Sequence, residues 1–122
     1  MAEKGASYQD LIVWQQSMDL ATAVYAVTKS WPKEELYGLT SQVRRSATSI
    51  PANIAEGYGR EHRGSYLQFL RIAQGSLKEL ETHLMLADRV GIVGPDTIKP
   101  LIARSESVGK FLRLLLRKLA AT

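Results

Sequence analysis

The 122-residue chain has no cysteine, which removes disulfides, thiolate zinc sites, iron–sulfur clusters and thiol nucleophiles together. Histidine is scarce: His62 and His83 are the only two, far apart and with no carboxylate cluster around either. A metal centre or an acid–base pair therefore lacks its raw material, because a catalytic proton donor needs a positioned partner. Long apolar runs are missing as well. The least charged stretch, Leu11 to Thr28, is interrupted by Gln15, Gln16, Ser17, Asp19 and Thr22, short of the ~20 residues that span a bilayer. Met1 to Ser7 carries one Glu, one Lys and no apolar core, unlike a signal peptide. The expectation is a cytoplasmic protein with no metal, no cofactor, no membrane segment and no enzymatic activity.

What is present fits one globular domain: 45% of the residues are apolar and 23% charged, far from a disordered composition. No segment alternates like a strand, and almost all carry helical period. Leu11, Trp14, Met18, Ala21 and Tyr25 form one apolar row on the first helix, and Val13, Leu20, Val24 and Val27 form a second beside it. Two rows exceed the ~100° stripe of a helix with one buried face, so this helix is expected to be covered on two sides.

Trp31-Pro32-Lys33-Glu34-Glu35 reads as a turn and a helix start, with a break near Gly38 before the main second helix. Its row is Leu39, Val43, Ala47, Ile50 and Ile54. Pro51 falls inside that row and removes a backbone donor, so it kinks the helix or splits it in two. Gly57, Gly59 and Gly64 suit a C-cap and loop, and Ser65 with Gln68 reads as a capping box. Leu67, Leu70, Ala73, Leu77, Leu80, Leu84 and Ala87 continue the third helix, where Gly75 suggests close approach by a neighbour. Ile98, Leu101, Ile102, Ser105, Val108, Leu112, Leu115, Leu116 and Leu119 line the fourth. Helices over about 8–29, 33–57, 65–90 and 96–120, joined by short connections, predict a single all-α domain, an antiparallel up-down four-helix bundle.

Charge is distributed unevenly. The net +4 lies entirely beyond Pro95, where Lys99, Arg104, Lys110, Arg113, Arg117 and Lys118 face only Asp96 and Glu106. Lys110, Arg113 and Arg117 share one helix face, and such a stripe suits phosphates; the alternative is a solvated face that complements the helix dipole. Apolar residues also exceed what one stripe per helix requires. Val13, Leu20, Val24 and Val27 on the first helix, with Phe111 and Leu114 at the polar face of the last, are the expected surface for self-association.

Asn53 and Glu56, three residues apart on one face, are expected to form a structural polar network that sets helix register. Arg60, His62 and Arg63 sit in the glycine-flanked connection that follows. The Gly57-Tyr58-Gly59 spacing is not a phosphate loop, since no strand precedes it and no Gly-Lys-Ser/Thr follows.

Three segments carry a resemblance: Trp31 to Ala47 (WPKEELYGLTSQVRRSA), Ser49 to Arg60 (SIPANIAEGYGR) and Phe69 to Leu80 (FLRIAQGSLKEL). Together they resemble the four-helix-bundle family of 23S rRNA intervening-sequence proteins, which includes the accessory variability determinant (Avd) of diversity-generating retroelements. The resemblance spans about Tyr8 to Leu119. It implies a bundle that assembles as a ring, commonly a homopentamer, with a basic surface. Avd-type relatives bind a reverse transcriptase and nucleic acid, so RNA or DNA, a reverse transcriptase and further copies of the chain are the implied partners. Arg44, Arg45, Arg60 and Arg63 match the family motif, and no catalytic residues carry over. The expected function is a non-enzymatic oligomeric scaffold for nucleic acid or a ribonucleoprotein; the alternative is a scaffold for proteins alone.

Overall fold

Four α-helices form: α1 (Ile12–Thr28), α2 (Leu39–Gly59), α3 (Arg63–Arg89) and α4 (Pro95–Ala120), with single 3-10 turns at Tyr8–Asp10 and Lys33–Glu35. The structure is a computed structural model that describes residues 7–121, and among these there is no strand. Short connections force successive helices to run antiparallel. Each helix packs on two neighbours, α1 on α2 and α4, and α3 on α2 and α4, with the α2–α3 seam the most extensive. The result is an all-α, up-down four-helix bundle.

Local chemistry explains where the ends fall. Leu11 is extended (φ −72°, ψ 127°), which separates the Tyr8–Asp10 turn from α1. At Trp31 the chain turns and seals its indole, 7% exposed, against the core, whereas Trp14 at the other end of α1 is half-buried and meets Tyr8 edge-on at 5.3 Å. After the Lys33–Glu35 turn, the Glu35 carboxylate accepts from the Leu39 amide (3.1 Å) and helps open α2. The helix then continues through Pro51 as a single element, not as two. Ser46 donates to the Gln42 and Val43 carbonyls and Thr48 to those of Arg44 and Arg45, serving the turns ahead of the proline.

The α2–α3 connection differs from the expected glycine loop. Gly57 and Gly59 lie inside α2, and only Arg60, Glu61 and His62 join the helices. Glu61 takes a positive φ of 54°, an uncommon cost for a residue with a side chain. The capping box also moves: His62, not Ser65, is the N-cap, its Nδ1 accepting from the Ser65 amide at 3.1 Å. An imidazole nitrogen can fill the acceptor role that a serine oxygen usually plays at a helix start.

Glycine placement sets the seams. A Cβ on Gly57 would lie 2.7 Å from Phe69 Cβ and 3.2 Å from Tyr66 Cδ1, so α2 and α3 touch backbone to side-chain root there. On Gly109 of α4 it would lie 3.2 Å from Leu77 Cδ2. Gly75, where close approach was expected, has open space within 4 Å.

The core contains most of the expected rows of α2, α3 and α4: Val43, Ala47, Ile50, Ile54, Leu70, Ala73, Leu77, Leu80, Leu84, Ala87, Ile98, Leu101, Val108 and Leu112 are buried, while Leu39, Leu67, Ile102, Leu115, Leu116 and Leu119 are half-buried. On α1 the two rows exchange roles. Val13, Leu20 and Val24, assigned above to self-association, are buried at 4%, 0% and 0% in the chain's own core. Val27 and Phe111 are half-buried and pack against that core. The reason is geometric: the second row is the one that points between α2 and α4, while Met18 and Tyr25 of the first row stay exposed. The apolar excess exists, on a different face. Of the six assigned residues only Leu114 is exposed.

One polar contact inside the core was not anticipated. The Glu81 carboxylate on α3, 8% exposed, accepts a short hydrogen bond from the fully buried Ser105 hydroxyl on α4. Lys78 reaches it from the surface at 3.1 Å. A buried carboxylate costs folding energy unless paired and hydrogen-bonded, so this contact penalises any slip of α4 along α3.

Candidate nucleic-acid interface

Seven cations were singled out by the sequence, and the structure separates them. Arg44 belongs to the α1–α2 seam. Its Nε donates to Thr28 Oγ1 at 2.8 Å and its guanidinium lies 4.6 Å from the Tyr25 ring centroid. Arg45 is exposed one position on, with a long contact to Ser41 Oγ at 3.5 Å. Both lie in the first third of α2. Arg60 is 16 residues further along, about 24 Å at 1.5 Å per residue, so the two pairs occupy opposite ends of the bundle.

Arg60 and Arg63 are engaged by their own neighbours. Arg60 pairs with Glu56 at 3.0 Å, both side chains about half exposed, and lies 5.0 Å from the Phe69 ring centroid. An exposed i,i+4 pair of this kind contributes little stability. Arg63 Nε donates to the Leu119 carbonyl at 2.8 Å and its NH2 group to that of Ala120 at 3.4 Å. It therefore caps the C-terminus of α4, where backbone carbonyls lack helical donors and a cation is favoured.

Glu56 is absent from the polar network expected of it. Asn53 instead donates to the Ser49 carbonyl (2.7 Å) and to Ser49 Oγ (2.9 Å), and Ser49 Oγ meets Ser76 Oγ across the seam at 2.8 Å. The network is Asn53–Ser49–Ser76, tying α2 to α3; Glu56, three residues on, turns outward to Arg60. Sequence spacing gave Asn53 and Glu56 one face, but the seam lies on only one flank of that face.

Lys110, Arg113 and Arg117 are all exposed on α4, and among the described residues none has an ion pair or side-chain hydrogen bond. Arg113 lines a shallow groove between α3 and α4, and Lys118 lines another between α1 and α4 with Ile12, Phe111 and Leu114. The α3–α4 groove also presents Arg71 and Lys78, which charge counting overlooked because cations and carboxylates cancel over the residues up to Pro95. Their spacing around Gly75 was the available signal.

Little else suggests chemistry. His62 is exposed and occupied as a helix cap, and the buried Nδ1 of His83 has no partner among the described residues. Burial, then the neighbouring Tyr58, pushes the Tyr66 phenol up to about 12, the wrong direction for a base at neutral pH. Among the described residues no three metal-binding side chains converge, and no helix is long and apolar enough to cross a membrane. A mostly apolar groove of about 500 Å³ lies between α1 and α2, with Tyr8, Trp14, Met18, Tyr25 and Pro51 among its walls.

Comparison with known proteins supplies the family context. A family model described as 23S rRNA-intervening sequence protein matches residues 9–113. A crystal structure of a protein of unknown function from the S23 ribosomal protein family of Bacteroides thetaiotaomicron is similar, with 25% identity and a TM-score of 0.81. The match covers 87% of this chain and 96% of that one. No curated protein matches the sequence.

Proposed function

Since the chain belongs to the family of 23S rRNA-intervening sequence proteins, we propose that it is a non-enzymatic helical scaffold that self-associates and binds nucleic acid, alone or within a ribonucleoprotein or reverse-transcriptase complex. The observation that carries this reading is the unpaired stripe Lys110, Arg113 and Arg117, exposed on a bundle whose remaining charge is nearly balanced. Cations without carboxylate partners are available to phosphates, and each phosphate neutralised adds about −0.7 (single strand) to −0.9 (duplex) to the salt slope. Arg45, exposed and with only a long contact to Ser41, adds a further cation at the opposite end, whereas Arg44, Arg60 and Arg63 support the reading less because contacts within the chain hold them.

Self-association multiplies this surface. A homopentamer, the assembly the family resemblance implies, would carry about +20 from five copies of +4, and repetition raises apparent affinity without new contacts. The exposed apolar residues Ile12, Met18, Tyr25 and Leu114 support self-association. Light scattering measures the assembly, and fluorescence anisotropy from about 50 to about 300 mM salt measures the binding. A monomer that binds neither RNA nor DNA at the lowest salt would refute the proposal. The second reading, a scaffold for proteins alone, is favoured by the apolar α1–α2 groove; Lys110, Arg113 and Arg117 replaced by Gln would then leave partner binding intact.

A further inference from the structure

Two glycines and three cations coincide on one face of the molecule. Gly75 and Gly109 lie in the groove between α3 and α4, with Leu77 beneath and Arg71, Lys78 and Arg113 around it. The antiparallel register is fixed by contacts along the seam: Leu77 against the Gly109 position, Glu81 with Ser105, and Arg63 with the Leu119 carbonyl. In that register Arg71, one turn before Gly75, and Arg113, one turn after Gly109, stand on the same side of the glycines. Lys78 stands on the other side, seven residues from Arg71, or about 10 Å along the helix.

Chemically the groove is one-sided. Among the described residues its lining contains no carboxylate, and Gln74 adds an amide. Among the described residues Arg71 and Arg113 have no ion pair or hydrogen bond through their guanidinium groups. Lys78 contacts Glu81, but Glu81 is turned inward to Ser105 and the lysine side chain remains 67% exposed. Gly75 contributes by what it leaves open: no atom lies within 4 Å of where its Cβ would stand. A side chain there would occupy the floor between the cations, and a mid-helix glycine with no packing reason otherwise only weakens its helix.

The geometry points to the α3–α4 groove as the binding site for the phosphodiester backbone of one nucleic-acid strand, with Arg71, Lys78 and Arg113 as its phosphate ligands and Gly75 as the gap that admits it. Arginine donates two parallel hydrogen bonds to a phosphate, and lysine acts as a point charge. The site rests on the nucleic-acid reading above and narrows it from a stripe on α4 to a channel shared by two helices.

The test is fluorescence anisotropy on the whole protein with single-stranded RNA, single-stranded DNA and duplex DNA, each across the salt range. Gly75→Glu puts a carboxylate between the cations and is expected to weaken single-strand binding about tenfold or more, since like charge at a contact is heavily penalised. Ala26→Glu makes the same change in net charge on exposed α1, which does not pack on α3, and is expected to weaken binding about twofold at most through screened, long-range charge. Arg71→Gln with Arg113→Gln should reduce the magnitude of the single-strand salt slope by about 1.4, two contacts' worth. Circular dichroism confirms that each variant is folded; all four positions are exposed. Equal weakening by Gly75→Glu and Ala26→Glu, or an unchanged slope in the double variant, would overturn the groove while leaving nucleic-acid binding in place. Tighter binding of duplex than of either single strand would overturn the one-strand assignment. Absence of binding by the unaltered protein would remove both the groove and the reading it rests on.

Discussion

The same substitution at two glycines should have opposite effects on stability. Gly57→Ala places a methyl 2.7 Å from Phe69 Cβ, an atom that cannot move unless α3 moves with it. Overpacking of this kind costs about 1–3 kcal/mol, against which alanine returns about 1 kcal/mol of helix propensity. The net expectation is a loss of up to about 2 kcal/mol. Gly75→Ala meets nothing within 4 Å, so only the propensity gain of about 1 kcal/mol remains. The two variants should thus differ by roughly 1–3 kcal/mol, or about 4–12 °C in Tm at this chain length. Urea unfolding followed by circular dichroism, at one protein concentration because self-association would shift the midpoint, measures both. A Gly57→Ala protein stabilised as much as Gly75→Ala would refute the close approach of α2 to α3, and a destabilised Gly75→Ala would refute the open floor of the groove.

Other consequences can be measured in the same way. Ser105→Ala leaves the Glu81 carboxylate without its buried donor and should cost about 1–3 kcal/mol, while pairing it with Glu81→Leu should recover much of that loss. Arg63→Gln releases the terminal carbonyls of α4; amide exchange in the last turn of α4 should accelerate, with a loss of about 0.5–1 kcal/mol in denaturant unfolding. Tyr66 should ionise late in an absorbance titration, near its folded value of about 12. Because that value lies above the unfolded one, its contribution is complete below pH ~10 and fades as pH rises toward ~12. Tyr66→Phe should flatten that part of the stability profile, and an unchanged profile would contradict the burial of the phenol.

Helix number and order were legible because α2, α3 and α4 each carry one row of apolar residues at helical spacing, which leaves a single way to bury them. On α1 two rows compete, and spacing alone cannot rank them. Val13, Leu20 and Val24 face the core because α1 leans on both α2 and α4, a tertiary fact absent from α1's own sequence. Gly57 and Gly75 were misread for a related reason: a glycine in a helical pattern reports that something is unusual, but only the neighbouring helix decides whether it is crowded or bare. The cationic site was legible in part. Counting charge along the chain picked out Lys110, Arg113 and Arg117, yet Arg71 and Lys78 meet Arg113 only across the seam. Arg63 matched a motif rich in cations and proved to serve the end of α4. The Glu81–Ser105 contact joins residues 24 positions apart, and nothing local to either residue announces it.

The chain carries two tryptophans, and their placement turns the bundle into its own instrument. Trp14 stands half-sheltered on the wall of the α1–α2 groove, beside Tyr8, while Trp31 is sealed at the far end of α1, its indole N–H without a partner among the described residues. About 21 Å of helix, from Trp14 to Thr28, lies between the two. Their emission should differ in colour and in access to a dissolved quencher. With one or the other replaced by phenylalanine, a visitor seated in the groove can be watched independently of loosening at the opposite tip, with no dye attached.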